Sequence, residues 1–353
     1  MMTGMENWWQ RFQDAFHTGR GTTRRVYLDH AAATPLSPVA EAAMRPFFSE
    51  HFGNPSAIHA EGRAARDAVE QAREQVARSI GVRPGGVTFT GSGTESNSLA
   101  LCGHVAALEA GGVALTDIEV VSTKVEHPSI VVTLTALQRR GVVVRYVPVD
   151  EEGLVTQSAL ASHLSEKTRL VSIAYANSET GVVQDLRRLS RTATAAAKDY
   201  GTRIVFHTDA SQAPWWLPCQ LPPLRVDFMT LDAGKCGGPK GVGLLVQHGS
   251  VALHAVVHGG GQEQGLRAGT ENTAGIVGAA AALKEAQDGW RSRSAAVAAL
   301  RDRLRDQLLK LPGAVLNGSR EQRLPNNVNI SIPGLDTEYA VVVLDSHGIA
   351  AST

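Results

Sequence analysis

From Val26 onward the chain alternates short apolar runs with amphipathic stretches of helical period, and this alternation constrains the fold more than any other feature. Strand-like runs fall at 87–90, 119–122, 142–147, 170–174, 203–207, 228–231 and 242–246. Helical patterns fall at 64–80, 94–108, 130–140 and 186–200. Strands that each lead into a helix build crossover units, because parallel neighbours cannot be joined by a tight turn. The expectation is an α/β fold with a mostly parallel, seven-stranded sheet and helices on both faces. Ligands of such sheets bind outside the carboxyl ends of the strands, so chemistry should collect in the residues that follow each run.

With 353 residues the chain suggests about two domains. Residues 26–270 hold the sheet pattern and form the large domain. Residues 271–353 read as a smaller, incomplete α+β domain, with a long proline-free helix over about 272–311, a strand at 327–332, a helix at 337–346 and the start of a strand at 348–353. Ahead of both, residues 1–25 read as an N-terminal helix and linker: Trp8, Trp9, Phe12 and Phe16 recur at helical spacing, and a Gly/Arg-rich stretch follows. Glu6 and Asp14 argue against a transit peptide, and no long apolar core marks a secretory signal.

Composition removes several classes of function. Lys plus Arg, 34, equals Asp plus Glu, 34, so no basic excess points to nucleic acid or a membrane surface. No apolar stretch approaches the roughly 20 residues of a bilayer span. Cys102, Cys219 and Cys236 show neither metal-type nor CxxC spacing. A disulfide framework and a metal site are therefore not expected, and a reducing cytoplasm fits.

Five strand ends carry chemistry-bearing residues. Gly91-Ser92-Gly93-Thr94 opens a helix; free N–H groups there suit a phosphate, although a Ser or Thr cap also merely starts helices. His127 precedes Pro128 and is either a capping residue or an imidazole that stacks on a planar ligand or moves a proton. Asn177 is either a turn former or an amide donor to a ligand oxygen. Asp209, at a buried strand end, needs a partner for its charge: a turn, a helix cap or a protonated ring nitrogen. Lys235, between glycines past an apolar strand, suits an imine-forming nucleophile. Taken in order, these describe a pyridoxal phosphate site.

The same segments resemble a known family. YLDHAAATP (27–35), HFGNPSAIH (51–59), TGSGTESNSLA (90–100), KVEHPSI (124–130), ANSETGVVQDL (176–186), HTDASQ (207–212), GPKGVG (238–243), HGGGQEQGLRAGTENT (258–273) and LPNNVNISIPG (324–334) run in family order. The chain resembles the class V aminotransferases of pyridoxal phosphate fold-type I, and within them the cysteine desulfurases of the iron–sulfur-cluster and nitrogen-fixation type. That resemblance implies that Lys235 holds the cofactor as a Schiff base and moves the substrate α-proton, with His127 stacked on the ring as its catalytic partner. It implies Asp209 at the pyridinium nitrogen, Asn177 and Gln212 at the phenolic oxygen, and Gly93 and Thr94 at the phosphate. Thr270 would reach the phosphate of a second subunit, implying a homodimer. L-cysteine would be the substrate and an iron–sulfur scaffold or other sulfur acceptor the partner.

Two departures accompany the resemblance. Where the family has Ser-x-His-Lys, this chain has Asp232-Ala233-Gly234-Lys235. An ionised Asp232 aimed at a phosphate would repel it, so it points elsewhere, or other groups compensate, or cofactor affinity falls. In the family, a segment like 351–353 is followed by a loop with the nucleophilic cysteine and by an arginine for the substrate carboxylate. The expectation is a C-terminally truncated chain lacking that loop. Alternatives are an aminotransferase or lyase that needs no cysteine nucleophile, and a non-catalytic dimer subunit.

Overall fold

The described residues form eleven short strands: β1 (Val26–Tyr27), β2 (Val87–Thr90), β3 (Glu119–Thr123), β4 (Val143–Val147), β5 (Thr168–Ser172), β6 (Val205–Asp209), β7 (Phe228–Asp232), β8 (Gly243–Gln247), β9 (Val315–Leu316), β10 (Ile330–Ser331) and β11 (Ile349–Ala350). They are seen in a computed structural model that describes residues 25–353; the helix expected around Trp8, Trp9, Phe12 and Phe16 lies outside the described residues. Seven strands join in the order β2-β8-β7-β6-β5-β3-β4. β3 to β7 pair parallel along this order, and β8 runs antiparallel to both of its neighbours. The mostly parallel sheet read from the alternation is the sheet observed.

Side-chain alternation along the strands divides the core in two. Val121, Val171, Phe206, Met229 and Leu244 face helices Ala60–Ile80 and Leu186–Asp199 and the start of the long helix Thr273–Leu308. Val120, Leu170, Val205, Phe228 and Leu245 face helix Pro128–Arg139 and the helical run that begins at Gly93. Helices thus cover both faces, and each buried Leu, Val or Phe contributes roughly 1.5–3 kcal/mol of apolar burial.

Several boundaries differ from the sequence pattern for identifiable reasons. The run expected at 170–174 is a two-sided strand only to Ser172: Ile173 and Tyr175 still donate to the β6 carbonyls of His207 and Asp209, while the Ala174 N–H turns to the Glu126 carboxylate at 3.0 Å. The run expected at 203–207 extends to Asp209, which still pairs with Thr230 of β7. The strand expected at 327–332 shrinks to β10, because Asn327 and Asn329 direct their amides to the Glu179 carbonyl. Helices Pro38–Met44 and Gln157–His163 lack a periodic signature but carry side-chain caps, Ser37 and Thr156. β1 pairs with β11, so the first described strand joins the C-terminal region rather than the large sheet.

The loop 258–271 crosses the edge near β2, and Glu263 and Gln264 in it hold positive φ values of 47° and 59°. Non-glycine residues occupy that region at a cost, so the surroundings must impose it. Arg73, from helix Ala60–Ile80, does so with two parallel 2.8 Å bonds to the Glu263 carboxylate. The Phe89 N–H donates to Glu263 Oε2, also at 2.8 Å. The two side chains are only 6% and 2% exposed. Removing one partner strands a buried charge. Glu263→Ala is expected to cost about 3–5 kcal/mol in urea unfolding; a loss under about 1 kcal/mol would show that the loop does not depend on this pair.

Candidate active site

The parallel strands end at one edge of the sheet, and the candidate residues stand there. Asp209 closes β6, Lys235 lies three residues past β7, and Gly93 and Thr94 follow β2. His127 caps helix Pro128–Arg139 after β3, and Asn177 lies in the turn after β5.

Asp209 is held at both oxygens: Oδ1 accepts from the Ser211 N–H at 2.9 Å and Oδ2 from the Asn97 amide at 2.7 Å. The same Asn97 Nδ2 donates to Ser129 Oγ at 2.8 Å, and that hydroxyl lies 2.8 Å from His127 Nδ1. Nδ1 also accepts from the Ser129 N–H at 3.1 Å, which puts the proton of a neutral His127 on Nε2. One hydrogen-bonded chain therefore joins the two residues expected at the ring nitrogen and the ring face. Asn97 and Ser129 were not singled out in the sequence; a buried asparagine inside a helix, 1% exposed, is the signal that marks the first.

Lys235 Nζ donates to the carbonyls of Ala31 and Ala32, both at 2.7 Å, and has no carboxylate partner among the described residues. Gln212 donates to the same Ala31 carbonyl at 2.9 Å, so the two side chains converge on the turn after β1. Asn177 is a turn former: its Oδ1 accepts from Glu179 and Thr180 N–H at 2.9 and 2.8 Å. Its amide nevertheless donates to Val125 O at 2.7 Å, tying this turn to the loop that carries His127. Thr94 is exposed, as is Thr270 on the loop clamped through Glu263.

Asp232 does not point elsewhere. Its Oδ2 accepts from the Gly93 N–H at 3.0 Å and its Oδ1 from the Gly234 N–H at 2.9 Å. A Cβ on Gly93 would sit 3.1 Å from that carboxylate and 3.3 Å from Ser211 Oγ.

Neither buried cysteine suits nucleophilic work. Burial, reinforced by the Asp232 charge, pushes the Cys236 thiol up to about 12, and burial pushes Cys219 up as well. Half-buried Cys102 is raised for the same reason. The reactive species is the thiolate, which these settings suppress.

Comparison with known proteins settles the family. The family profile described as Aminotransferase class-V matches residues 26–353. The chain is 40% identical over 331 residues to the cysteine desulfurase IscS of Dictyoglomus turgidum, covering 94% of this chain and 81% of that protein. The chain belongs to the class V aminotransferase family. IscS 1 of Archaeoglobus fulgidus is 36% identical, with 93% and 82% covered. Among solved structures, a NifS-like protein superposes with a TM-score of 0.88 at 35% identity over 94% of this chain and 88% of that one. DndA from Streptomyces lividans gives 0.78 at 29% identity, with 90% and 87% covered. This fold is that of the pyridoxal phosphate enzymes of fold-type I, and the family depends on that cofactor.

The donor set at the ring end fits the cofactor of this family. A fixed carboxylate, Asp209, and an amine free of any ion pair, Lys235, share one edge, and an imidazole is oriented beside them. At the phosphate end the fit is altered by Asp232, which already uses the Gly93 and Gly234 amides.

Glu126 is a further buried acid at this edge. It accepts from Thr123 Oγ1 at 2.9 Å and from the Ala174 N–H. Burial, with the charge of Asp209 adding, raises its carboxyl from 4.5 to about 7. The folded chain thus keeps this proton longer than the unfolded chain, and the stability linked to Glu126 falls as pH rises from about 4.5 to about 7. Burial holds the His207 imidazole low, which acts oppositely as pH falls below its ordinary 6.5. Comparison with Glu126→Gln isolates the first effect. Between about pH 5 and pH 7.5 the unsubstituted chain should lose up to about 3 kcal/mol more than the variant. Parallel stability curves for the two would refute the assignment.

Proposed function

We propose that the chain acts as a pyridoxal phosphate-dependent cysteine desulfurase, converting L-cysteine to L-alanine with the sulfur passed to a cysteine thiolate as a persulfide. The observation that carries this reading is the convergence of Lys235, Asp209 and His127 on one sheet edge in a chain 40% identical to a cysteine desulfurase. When bound, the cofactor supplies an electron sink for the electron pair freed at the substrate α-carbon.

The chain's own residues supply the rest. Lys235 Nζ, with no carboxylate partner among the described residues, would hold the cofactor aldehyde and, once displaced from it by the substrate amine, would be free to take the substrate α-proton. Asp209, its orientation fixed by Asn97 and Ser211, would face the ring nitrogen and keep it protonated. His127 presents its ring from a capped helix start, with Nε2 carrying the proton. Asn177 and Gln212, whose amides now donate to the Val125 and Ala31 carbonyls, would turn to the phenolic oxygen, and Gly93 and Thr94 would receive the phosphate. Thr270 contributes to the site of a second copy, which makes the working unit a homodimer. Because Cys219 and Cys236 are buried with raised thiols, the sulfur-accepting thiolate is not one of them. The sulfur serves iron–sulfur cluster assembly in the cytoplasm.

The test is spectroscopic and chemical. The cofactor-loaded chain should show a near-visible absorbance band that L-cysteine shifts and that Lys235→Ala abolishes. A band unchanged in Lys235→Ala would sink the assignment. These 353 residues, given cysteine and a reductant, should release little sulfide; robust release would show that a thiol among Cys102, Cys219 and Cys236 does serve. The inert settings of Cys219 and Cys236 also favour a second reading, a transaminase or lyase without a thiol. Keto-acid formation from an amino donor would identify it.

A further inference from the structure

We propose that Asp232 is a specificity-determining residue of the cofactor site, a built-in anion that holds the amide donors a phosphate would take and so reduces the share of binding that the phosphate supplies. This rests on the site reading above, in which the turn before Gly93 receives the cofactor's phosphate.

The geometry is specific. Helix Gly93–Ser98 continues through a π-type segment, Leu99–Gly103, into helix His104–Ala110, so the N–H groups at Gly93 begin one long helical run. Such a start presents unpaired donors and the positive end of a dipole. Asp232 reaches it from the end of the neighbouring part of the sheet and accepts the Gly93 N–H at 3.0 Å with one oxygen. The other oxygen accepts the Gly234 N–H at 2.9 Å. Ser211 Oγ lies against the same spot, 3.3 Å from where a Gly93 Cβ would be. The carboxylate thus stands among the groups that would otherwise surround a phosphate.

Asp232 has no ion-pair partner among the described residues; Arg267, with Nη2 3.4 Å from where a Gly91 Cβ would be, is paired with Glu95. Lys240 passes close, with Cγ 3.5 Å from where a Gly234 Cβ would be, but its Nζ donates to the Thr34 carbonyl at 2.8 Å. Lys235 is turned to the Ala31 and Ala32 carbonyls. A phosphate entering here meets a like charge a few ångströms away in a partly dehydrated cup, and two of its candidate donors already engaged. A cofactor aldehyde without the phosphate meets neither obstacle, since its ring contacts lie at Asp209, His127 and Lys235.

The experiment measures equilibrium binding of pyridoxal phosphate and of unphosphorylated pyridoxal to the cofactor-free chain, by absorbance, for wild type, Asp232→Asn and Asp232→Ser. Asn keeps the shape and one acceptor while removing the charge; Ser removes both and offers a hydroxyl. The expected result is that each substitution tightens pyridoxal phosphate by at least about tenfold and leaves pyridoxal within about twofold. An unchanged or lowered preference for the phosphorylated form in Asp232→Asn would overturn the inference and leave Asp232 a helix cap. Both aldehydes weakening together in Asp232→Ser, with Asp232→Asn unchanged, would overturn it in the same way. If neither aldehyde binds any of the three proteins, the site reading itself falls, and this inference with it.

Discussion

Most of the candidate side chains in this molecule stand where a strand of the parallel sheet runs out of ladder partners. Parallel strands deliver their carboxyl ends to one edge, and the backbone groups there must be satisfied by caps, turns or side chains. Glu126 takes the Ala174 N–H, Asp209 takes that of Ser211, and Asp232 takes those of Gly93 and Gly234. The same accounting that ends the sheet therefore concentrates three carboxylates at its edge. Glu126 is buried and would be costly there without its donors, and in all three the donors orient the carboxylate by the same bonds.

That concentration explains why the site is built as networks rather than as isolated groups. Asn97 donates both to Asp209 and to Ser129, whose hydroxyl reaches His127, so the Asp209 carboxylate and the imidazole share one buried support. Deeper in the sheet, His207 bonds Ser172 at 2.9 Å and Thr230 at 3.1 Å across the neighbouring strands. Most polar groups in these layers bond one another, Asn97 Oδ1 being the exception, and those bonds fix the strand ends. A rigid edge of this kind holds chemistry-bearing groups better than mobile loops would.

The sheet was legible in the sequence because hydrophobic periodicity is a local signal, and every run of the large sheet was found near its place. What local patterns could not show was where side chains would replace backbone partners. Strand β5 loses its outer ladder partner to Glu126 at Ala174, and the strand expected at 327–332 contracts because Asn327 and Asn329 reach across to the Glu179 carbonyl. Both depend on residues more than forty positions away, beyond any window of periodicity. The same limit hid Asn97, which looks from its neighbours like one more polar helix residue. Asn177 illustrates the opposite case: the two roles left open by its sequence are compatible, since its oxygen builds the turn while its amide joins the His127 loop. Asp232 could be recognised as out of place, but only its two amide partners show that it stays at the helix start.

The loop 258–271 is attached on both sides of β2 by unequal ion pairs. Arg73 and Glu263 are nearly enclosed, so salt screens them little and they set where the loop enters. Arg267 and Glu95, 2.9 Å apart, are 27% and 24% exposed and fasten the far end to the turn that opens the helix at Gly93. Glu95 also takes the Gly91 N–H at 2.7 Å, so the pair is continuous with the phosphate turn itself. The buried pair fixes the loop's backbone at the cost of two positive φ angles; the partly exposed pair carries its position to the turn. Thr270, three residues beyond Arg267, therefore projects from a segment whose placement follows the geometry of the candidate phosphate turn.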